Sequence, residues 1–386
     1  MSEEKKFEQM YHLVGEQAIP IYLTAIQFSK DVKHILLTTS ENKALVAANR
    51  VRVLLKKKGY CADVRILGNG ATASSFDCML EKIEAALDAT EGKNVPSAFD
   101  LTGGTKPMSI SALIISRNNG IQPCYLDFPR RQLYWFGRPN TELTQSLEFD
   151  DFIELNGLKR KKTNDSGICP SQELLDFMFK NATKFQSNQK KFADLLPGSS
   201  RKKKNFDAAE FQKNLSALEK DLAKAKLDSA WQEHWGKYTT LPDGSRMSPA
   251  EQARFLAGVW FEYYVYNRLN AQVRLKTILQ NVEIVDDNGQ LIQEFDVAYT
   301  DGFSFFIVEC KAGSILQAYI AKLENLRSTF SGALGKAALV CLRKDQLKAQ
   351  EPRIKNSRTI AAFCGKNGHE QLFNKLFDFE TGKIYE

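Results

Sequence analysis

Hydrophobic positions in the first 158 residues fall into two spacings. Segments 11–14, 33–38, 62–67, 97–101 and 122–128 are short runs that predict strands, whereas 20–28, 43–57, 74–89 and 107–117 repeat apolar residues every three to four positions and predict helices. Strands alternating with helices give an α/β fold with a parallel sheet covered on both faces. Ligands of such sheets sit beyond the carboxyl ends of the strands, where the strand order switches. The turns that meet this edge are Gly15-Glu16-Gln17, Thr38-Thr39-Ser40, Gly68-Asn69-Gly70 and Asp100-Leu101-Thr102-Gly103-Gly104-Thr105-Lys106.

Further along, Leu291 to Gly313 alternates with period two around Asp301-Gly302. That dipeptide predicts a two-residue type I′ hairpin in which Thr300 pairs with Phe303 and Asp296 lies opposite Ile307. Strict alternation then puts Glu294, Asp296, Ile307, Glu309 and Lys311 on one face, and Phe295, Val297, Tyr299, Phe306, Val308 and Cys310 on the other. Asp296 and Glu309 become diagonal neighbours, roughly 7–8 Å apart at Cβ. Two carboxylates can close that gap around one divalent ion with oxygen ligands at about 2.0–2.1 Å. Upstream, the aromatic run from Gly258 to Leu269 predicts a helix that carries Glu262, with Val259, Tyr263 and Tyr266 toward the core. Downstream, 315–330 reads as a helix, 337–342 as a strand and Gly365-Lys366-Asn367-Gly368 as a turn.

Composition changes the picture at one place. Residues 159–204 hold 12 Lys and Arg against 4 Asp and Glu, a net of +8, while the whole chain of 386 residues is only +7. Lys159-Arg160-Lys161-Lys162 and Arg201-Lys202-Lys203-Lys204 flank an expected helix over 172–195, and a second covers 207–226. A solvated linker is the plain reading of such a run; the same clusters can also hold the phosphate backbone of a nucleic acid without reading sequence. Three units are therefore expected: 1–158, a basic helical linker 159–240, and 241–386, entered through the Pro-Asp-Gly loop 239–248. The linker's basic helical segment, Lys159 to Lys226, is the expected route of communication between the halves. Seven cysteines without a C-x-x-C pair suggest buried thiols in a reducing compartment, four scattered histidines argue against zinc, and the absence of a long apolar run or a signal peptide gives no membrane and a cytoplasmic location as the expectation.

The turn Thr102 to Lys106 has phosphate-binding chemistry: two glycines, a following helix with free N–H groups, and hydroxyl and ammonium contacts from Thr102, Thr105 and Lys106. It lacks the spacing of a Walker A loop, so ATP hydrolysis is not indicated. Gly68-Asn69-Gly70-Ala71-Thr72-Ala73 matches a dinucleotide fingerprint but follows the third strand rather than the first.

Two resemblances join these observations. Asp296 followed by Glu309-Cys310-Lys311 resembles the signature of the PD-(D/E)xK restriction-endonuclease-like superfamily, with Phe295 in place of the eponymous Pro and Glu262 as the added helical acid. The resemblance implies a metal-dependent endonuclease in which Asp296, Glu309 and Glu262 hold Mg²⁺ or Mn²⁺ and Lys311 orients the attacking water. Asp100 to Met108, paired with Gly15-Glu16-Gln17, is similar to the CRISPR-associated Rossmann-fold sensor domain, CARF. Together the two ends resemble the single-CARF accessory nucleases of type III CRISPR systems. That implies a homodimer binding a cyclic oligoadenylate, cyclic tetra-adenylate being the expected ring, through Glu16, Gln17, Ser40, Thr102, Gly103, Gly104, Thr105 and Lys106, and cutting single-stranded RNA or DNA. The alternative is a non-catalytic nucleotide sensor whose C-terminal domain binds nucleic acid or a partner; the intact Asp296, Glu309 and Lys311 set favours the enzyme.

Overall fold

The computed structural model describes residues 7–69, 75–89, 95–161, 169–197, 206–330 and 335–386. Residues 70–73 of the fingerprint, Lys162 of the first basic cluster and the Arg201–Lys204 cluster lie outside them. The first sheet runs β3-β2-β1-β4-β5-β6-β7, built from β1 Gln9–Leu13, β2 Lys33–Thr38, β3 Cys61–Ile66, β4 Ser97–Asp100, β5 Gln122–Asp127, β6 Gln132–Trp135 and β7 Thr141–Glu142. Its first five strands pair in parallel, and the last two return antiparallel. Helices α1 Ile19–Ala25 and α2 Asn42–Lys57 cover one face; α3 Phe76–Asp88 and α4 Lys106–Asn118 cover the other. The alternation read from the sequence is thus present, and the order places the switch point between β1 and β4.

Gly103 explains how closely the two switch-point turns approach. A Cβ on it would lie 2.1 Å from the Leu13 carbonyl oxygen and 2.8 Å from Ile21 Cδ1, so only glycine fits, and the reason is packing as much as any ligand. Gly104, at φ +79, is a second position that favours glycine.

α5 Phe149–Leu155 leads into the second sheet, ordered β14-β13-β12-β11-β10-β9-β8. Its strands are β8 Lys159–Arg160, β9 Thr277–Val285, β10 Leu291–Thr300, β11 Phe305–Lys311, β12 Ala337–Cys341, β13 Ile360–Cys364 and β14 Ile384–Tyr385. β10 and β11 are central, antiparallel to each other, and β11 through β14 run parallel. One face lies against α12 Gln317–Phe330 and α5, where Phe305 meets Phe149 and Phe152 at ring-centroid distances of 5.0 and 5.5 Å. Each such buried aromatic side chain contributes about 1.5–3 kcal/mol, so the sensor and the second sheet share one apolar core.

The other face is covered by the helices expected to form a linker. α6 Gln172–Lys180, α7 Ala182–Ala193, α8 Ala208–Lys224 and α9 Asp228–Thr239 bury Leu174, Phe185, Phe211, Leu218 and Trp231 in the cluster that contains Val297, Tyr299 and Val308. They are a layer of the C-terminal body, because each carries an apolar stripe that needs a partner surface. The helix expected over 172–195 is two helices meeting at Asn181.

α10 Pro249–Arg254 passes through a π-turn, Phe255–Val259, into α11 Trp260–Asn270, with Gly258 at φ +143. Gln189 Nε2 donates to the Ala257 carbonyl at 2.6 Å, satisfying an acceptor near the bulge. The core-facing residues of α11 are Trp260, Phe261, Tyr264, Val265 and Leu269, while Val259, Tyr263 and Tyr266 are only half-buried; the expected stripe was out of phase. α13 Glu351–Lys355 precedes β13, and Gly365 to Gly368 forms the first turn of α14 Gly365–Lys375 rather than a free turn. Among the described residues no helix is long and apolar enough to cross a membrane. Four of the cysteines are buried, but Cys61 and Cys169 are exposed, against the expectation of uniformly buried thiols.

Candidate functional site

The β10–β11 hairpin differs from its sequence reading in the turn. Thr300 pairs with Phe305, leaving Asp301 to Ser304 as the loop. Asp301 Oδ1 accepts the N–H groups of Phe303 and Ser304 at 2.9 and 2.8 Å, and Thr300 Oγ1 accepts Gly302 N–H at 2.8 Å. This side-chain capping favours the longer loop over the type I′ turn. The register moves by two, which preserves parity, and brings Asp296 one step beyond the Val297–Val308 pair, across from Glu309 rather than diagonal to it.

Alternation also fails at one point. Phe295 packs with Ala298, Phe305 and Ile307 on one face, whereas Val297, Tyr299, Phe306, Val308 and Cys310 pack on the other. The expected grouping of Phe295 with Val297 is therefore wrong. Opposite Asp296 on β9 lies Asn281, with φ +51, and the two strands change facing together there. Beyond Val297 the backbone ladder with β11 ends, and the Asp296 side chain bridges instead: its Oδ2 accepts Cys310 N–H at 2.7 Å.

The result is a tight charged cluster. Lys311 Nζ lies 3.1 Å from Asp296 Oδ2 and 2.7 Å from Glu309 Oε1, and it donates to the Cys310 carbonyl at 3.1 Å. Lys322, on α12, meets Glu309 Oε2 at 3.2 Å. Glu309 is 2% exposed. Burial, and then the nearby Glu309, push the Asp296 carboxyl up to about 6. Glu262 is driven well above the usual carboxylate range, first by burial and then by Asp296. Burial alone would lower the Lys311 ammonium, but Asp296 and Glu309 outweigh it and raise its pKa, so it stays protonated.

The structure thus gathers Asp296, Glu309 and Lys311, with Glu262 facing them from α11. Lys322 was not singled out in the sequence; its only signal is a cation on a helix whose stripe Ile320, Leu323 and Leu326 is buried. Among the described residues no three His, Cys, Asp or Glu side chains stand at the spacing of a metal cage. The donor set is nevertheless all hard oxygen: the two strand carboxylates and the Cys310 carbonyl. Mg²⁺ commonly binds through one or two carboxylates while keeping several waters, so these residues fit such an ion.

The sensor turns converge at the carboxyl edge of the first sheet. Glu16 and Gln17 follow β1 and are exposed; Ser40 follows β2, exposed, with its N–H on the Gly68 carbonyl at 2.7 Å. Thr102 is half-buried, its Oγ1 donating to Asp100 Oδ1 at 2.5 Å and accepting Leu126 N–H at 2.8 Å. Thr105 caps α4 by accepting Met108 N–H, and Lys106, the first residue of α4, is exposed. Beneath them Asp100 Oδ2 meets His12 Nδ1 at 3.0 Å, and His12 Nε2 meets His34 Nδ1 at 3.0 Å, all fully buried. A cavity of about 780 Å³ runs from Glu16, Gln17 and Thr102 past Lys43, Arg50 and Tyr125 to Phe303 at the hairpin tip.

Comparison with known proteins bears on both halves of the chain. Residues 10–148 match the family described as Card1 CARF domain, and residues 249–360 the family described as Card1-like, endonuclease domain. No curated protein sequence matches. Among solved structures, Can2 from Sulfobacillus thermosulfidooxidans in complex with cyclic tetra-adenylate aligns over 95% of this chain and 98% of its own, at 19% identity and a TM-score of 0.68. Protein VC1899 from Vibrio cholerae aligns over 96% and 97%, at 17% identity and 0.70. A type III CRISPR defence DNA nuclease activated by cyclic oligoadenylate aligns over 88% of this chain but 46% of its own, at 17% identity and 0.51. At these identities the structural likeness speaks for the fold.

Proposed function

Because this chain joins a CARF domain of the Card1 type to a Card1-like endonuclease domain, we propose that it is a nuclease of type III CRISPR defence, switched on by a cyclic oligoadenylate, with cyclic tetra-adenylate as the ring. The observation that carries the reading is Lys311 held between Asp296 and Glu309 on adjacent central strands. A merely solvated hairpin face would not bury these groups. Desolvating a lysine between two carboxylates is costly, and such clusters concentrate at functional sites, which favours the catalytic reading over a non-catalytic sensor.

Asp296, Glu309 and the Cys310 carbonyl would hold the divalent ion, Mg²⁺ or Mn²⁺. When bound, the ion supplies a nucleophile from water at neutral pH and offsets charge on the phosphate. Lys311, kept protonated, orients that nucleophile and faces the developing negative charge. Lys322 holds Glu309 in place, and Glu262, whose carboxyl favours the proton, completes the acid cluster from the outer side. The substrate is single-stranded RNA or DNA.

At the sensor edge, Lys106, Thr105, Thr102 and the Gly103-Gly104 backbone, with Glu16, Gln17 and Ser40, contact the ring. A ring of repeated units suits two copies of one site about a two-fold axis. Exposed apolar residues on the helix that leaves that edge support a homodimer: Ile110 and Ile114 on α4 are 52% and 39% exposed, one helical turn apart.

Cleavage of labelled single-stranded RNA and DNA with Mn²⁺, with and without cyclic tetra-adenylate, tests the reading. Activator-dependent cutting that is lost in Lys311→Ala is expected; cutting undiminished in that variant overturns the site, and no cutting of either strand returns the protein to the sensor class.

A further inference from the structure

The loop that closes the catalytic hairpin is half-buried and docks on the sensor. Asp301, whose side chain is 5% exposed, uses one oxygen to cap its own loop and the other to meet Arg131 Nη2 at 2.5 Å. The Arg131 guanidinium also lies over the Phe303 ring, 4.6 Å from its centroid. Leu147 N–H donates to the Gly302 carbonyl at 2.8 Å, and a Cβ on Gly302 would come within 2.7 Å of Ser146 Cβ. Lys276, at the start of the neighbouring strand, reaches Ser146 Oγ at 2.8 Å and Glu148 at 3.0 Å. The loop is thus held by charge, ring stacking, backbone hydrogen bonding and close packing.

Arg131 is tied to the ligand turn by a short path. It sits in the β5–β6 turn with φ +54, its N–H on the Phe128 carbonyl at 3.1 Å and its carbonyl receiving Leu143 N–H at 2.9 Å. β5 begins that path where Leu126 N–H donates to Thr102 Oγ1 at 2.8 Å. At the other end, Asp301 directly follows β10 and is five residues on from Asp296, about 17 Å of extended chain. Paired strands are stiff along their length, so a displaced tip moves the far end of the hairpin. Asp296 would feel it first, since its oxygen, not a backbone carbonyl, holds Cys310 N–H.

We propose that Arg131 is a positioning residue of the nuclease: by clamping Asp301 it sets how β10 and β11 present Asp296 to Glu309 and Lys311, and it passes the state of the Thr102 turn directly into the catalytic strands. The proposal rests on the function proposed above, and it replaces the helical segment 159–226 as the expected route. α6 to α9 cover the opposite face of the sheet from α5, whereas the hairpin tip touches the sensor itself. The ion pair is charge-assisted and its carboxylate is desolvated, which makes it sensitive to small shifts of the turn.

The test uses the full chain in four forms: wild type, Arg131→Ala, Arg131→Lys and Arg130→Ala. Arg130 is the control, since among the described residues its ion pair is with Asp127, within the sensor. Amide hydrogen exchange is followed in the hairpin segment around 296–310 and in the rest of the chain, alongside Mn²⁺-dependent cleavage with and without cyclic tetra-adenylate. Arg131→Ala is expected to speed exchange in the hairpin alone and to cut activator stimulation by about 5- to 150-fold, the usual range of coupling between sites. Arg131→Lys should recover part of both, and Arg130→Ala should match wild type. Hairpin protection in Arg131→Ala equal to wild type overturns the proposal, as does loosening spread evenly over the chain. A wild type that cuts nothing counts against the nuclease reading alone, because exchange still decides the role of Arg131.

Discussion

The amide of Cys310 donates to Asp296 Oδ2 at 2.7 Å. A carboxylate of the candidate active site is therefore also a structural acceptor, standing in for the backbone partner that β11 lacks where β10 leaves it.

From this double role, the two usual substitutions should differ. Asn at position 296 keeps an oxygen for Cys310 N–H but loses the charge; Ala loses both. Asp296→Asn and Asp296→Ala should each lower cleavage by about 100-fold or more, yet only the Ala variant should also lose about 1–3 kcal/mol for the unpaired amide. Denaturant unfolding beside a cleavage assay separates them, and equal stability losses would show that the hydrogen bond contributes nothing.

Stability should fall as pH rises through the titration of Asp296. Its carboxyl is held up at about 6 in the fold, against about 3.9 in an unfolded chain, so the folded state binds the extra proton between these values. The contribution is present below about pH 4 and is lost as pH passes 6. Asp296→Asn should flatten this part of the stability profile, read as melting temperature from pH 4 to 7.

Divalent metal should reverse that penalty. Mn²⁺ at 100 times its dissociation constant adds about 2.7 kcal/mol, and it must displace protons from the raised carboxyls first. A melting-temperature rise at pH 7.5 that shrinks at pH 5, and is absent in Asp296→Asn, is expected. An equal rise in the variant would place the ion elsewhere.

Acid should loosen the sensor. His34 is held well below the usual histidine range by burial and then by neighbouring His12. With His12 donating to Asp100 through Nδ1, His12 Nε2 accepts from His34 Nδ1–H, and His34 Nε2, which has no partner among the described residues, remains a bare lone pair. Stability from keeping His34 neutral is present above about pH 6.5 and is lost as pH falls below it. Because Asp100 also accepts Thr102 N–H at 2.9 Å, activator affinity measured by calorimetry should weaken over the same interval.

Gly103→Ala should damage the sensor before any ligand is considered. Its Cβ would sit 2.1 Å from the Leu13 carbonyl oxygen, an overlap that costs roughly 3 kcal/mol. Unfolding of the full chain measures it; a fully stable variant that merely binds less activator would assign Gly103 to the ligand alone.

The sequence determined the local and periodic features of this protein. Period-two and helical spacing gave the five parallel strands of the first sheet, the helices between them and the turns at their carboxyl edge, because those patterns report which residues must leave water. Parity along the hairpin put Asp296, Glu309 and Lys311 within reach of one another even though the turn was misjudged, since a shift of two residues preserves facing. Only the tertiary structure decided the rest. The paired change of facing at Asn281 and Asp296 depends on a neighbouring strand remote in sequence. The burial of α6 to α9 against the second sheet, where a charged linker was expected, depends on a partner surface their composition does not announce. Lys322 on Glu309 and Arg131 on Asp301 join residues 13 and 170 positions apart, and no spacing rule reaches across such separations.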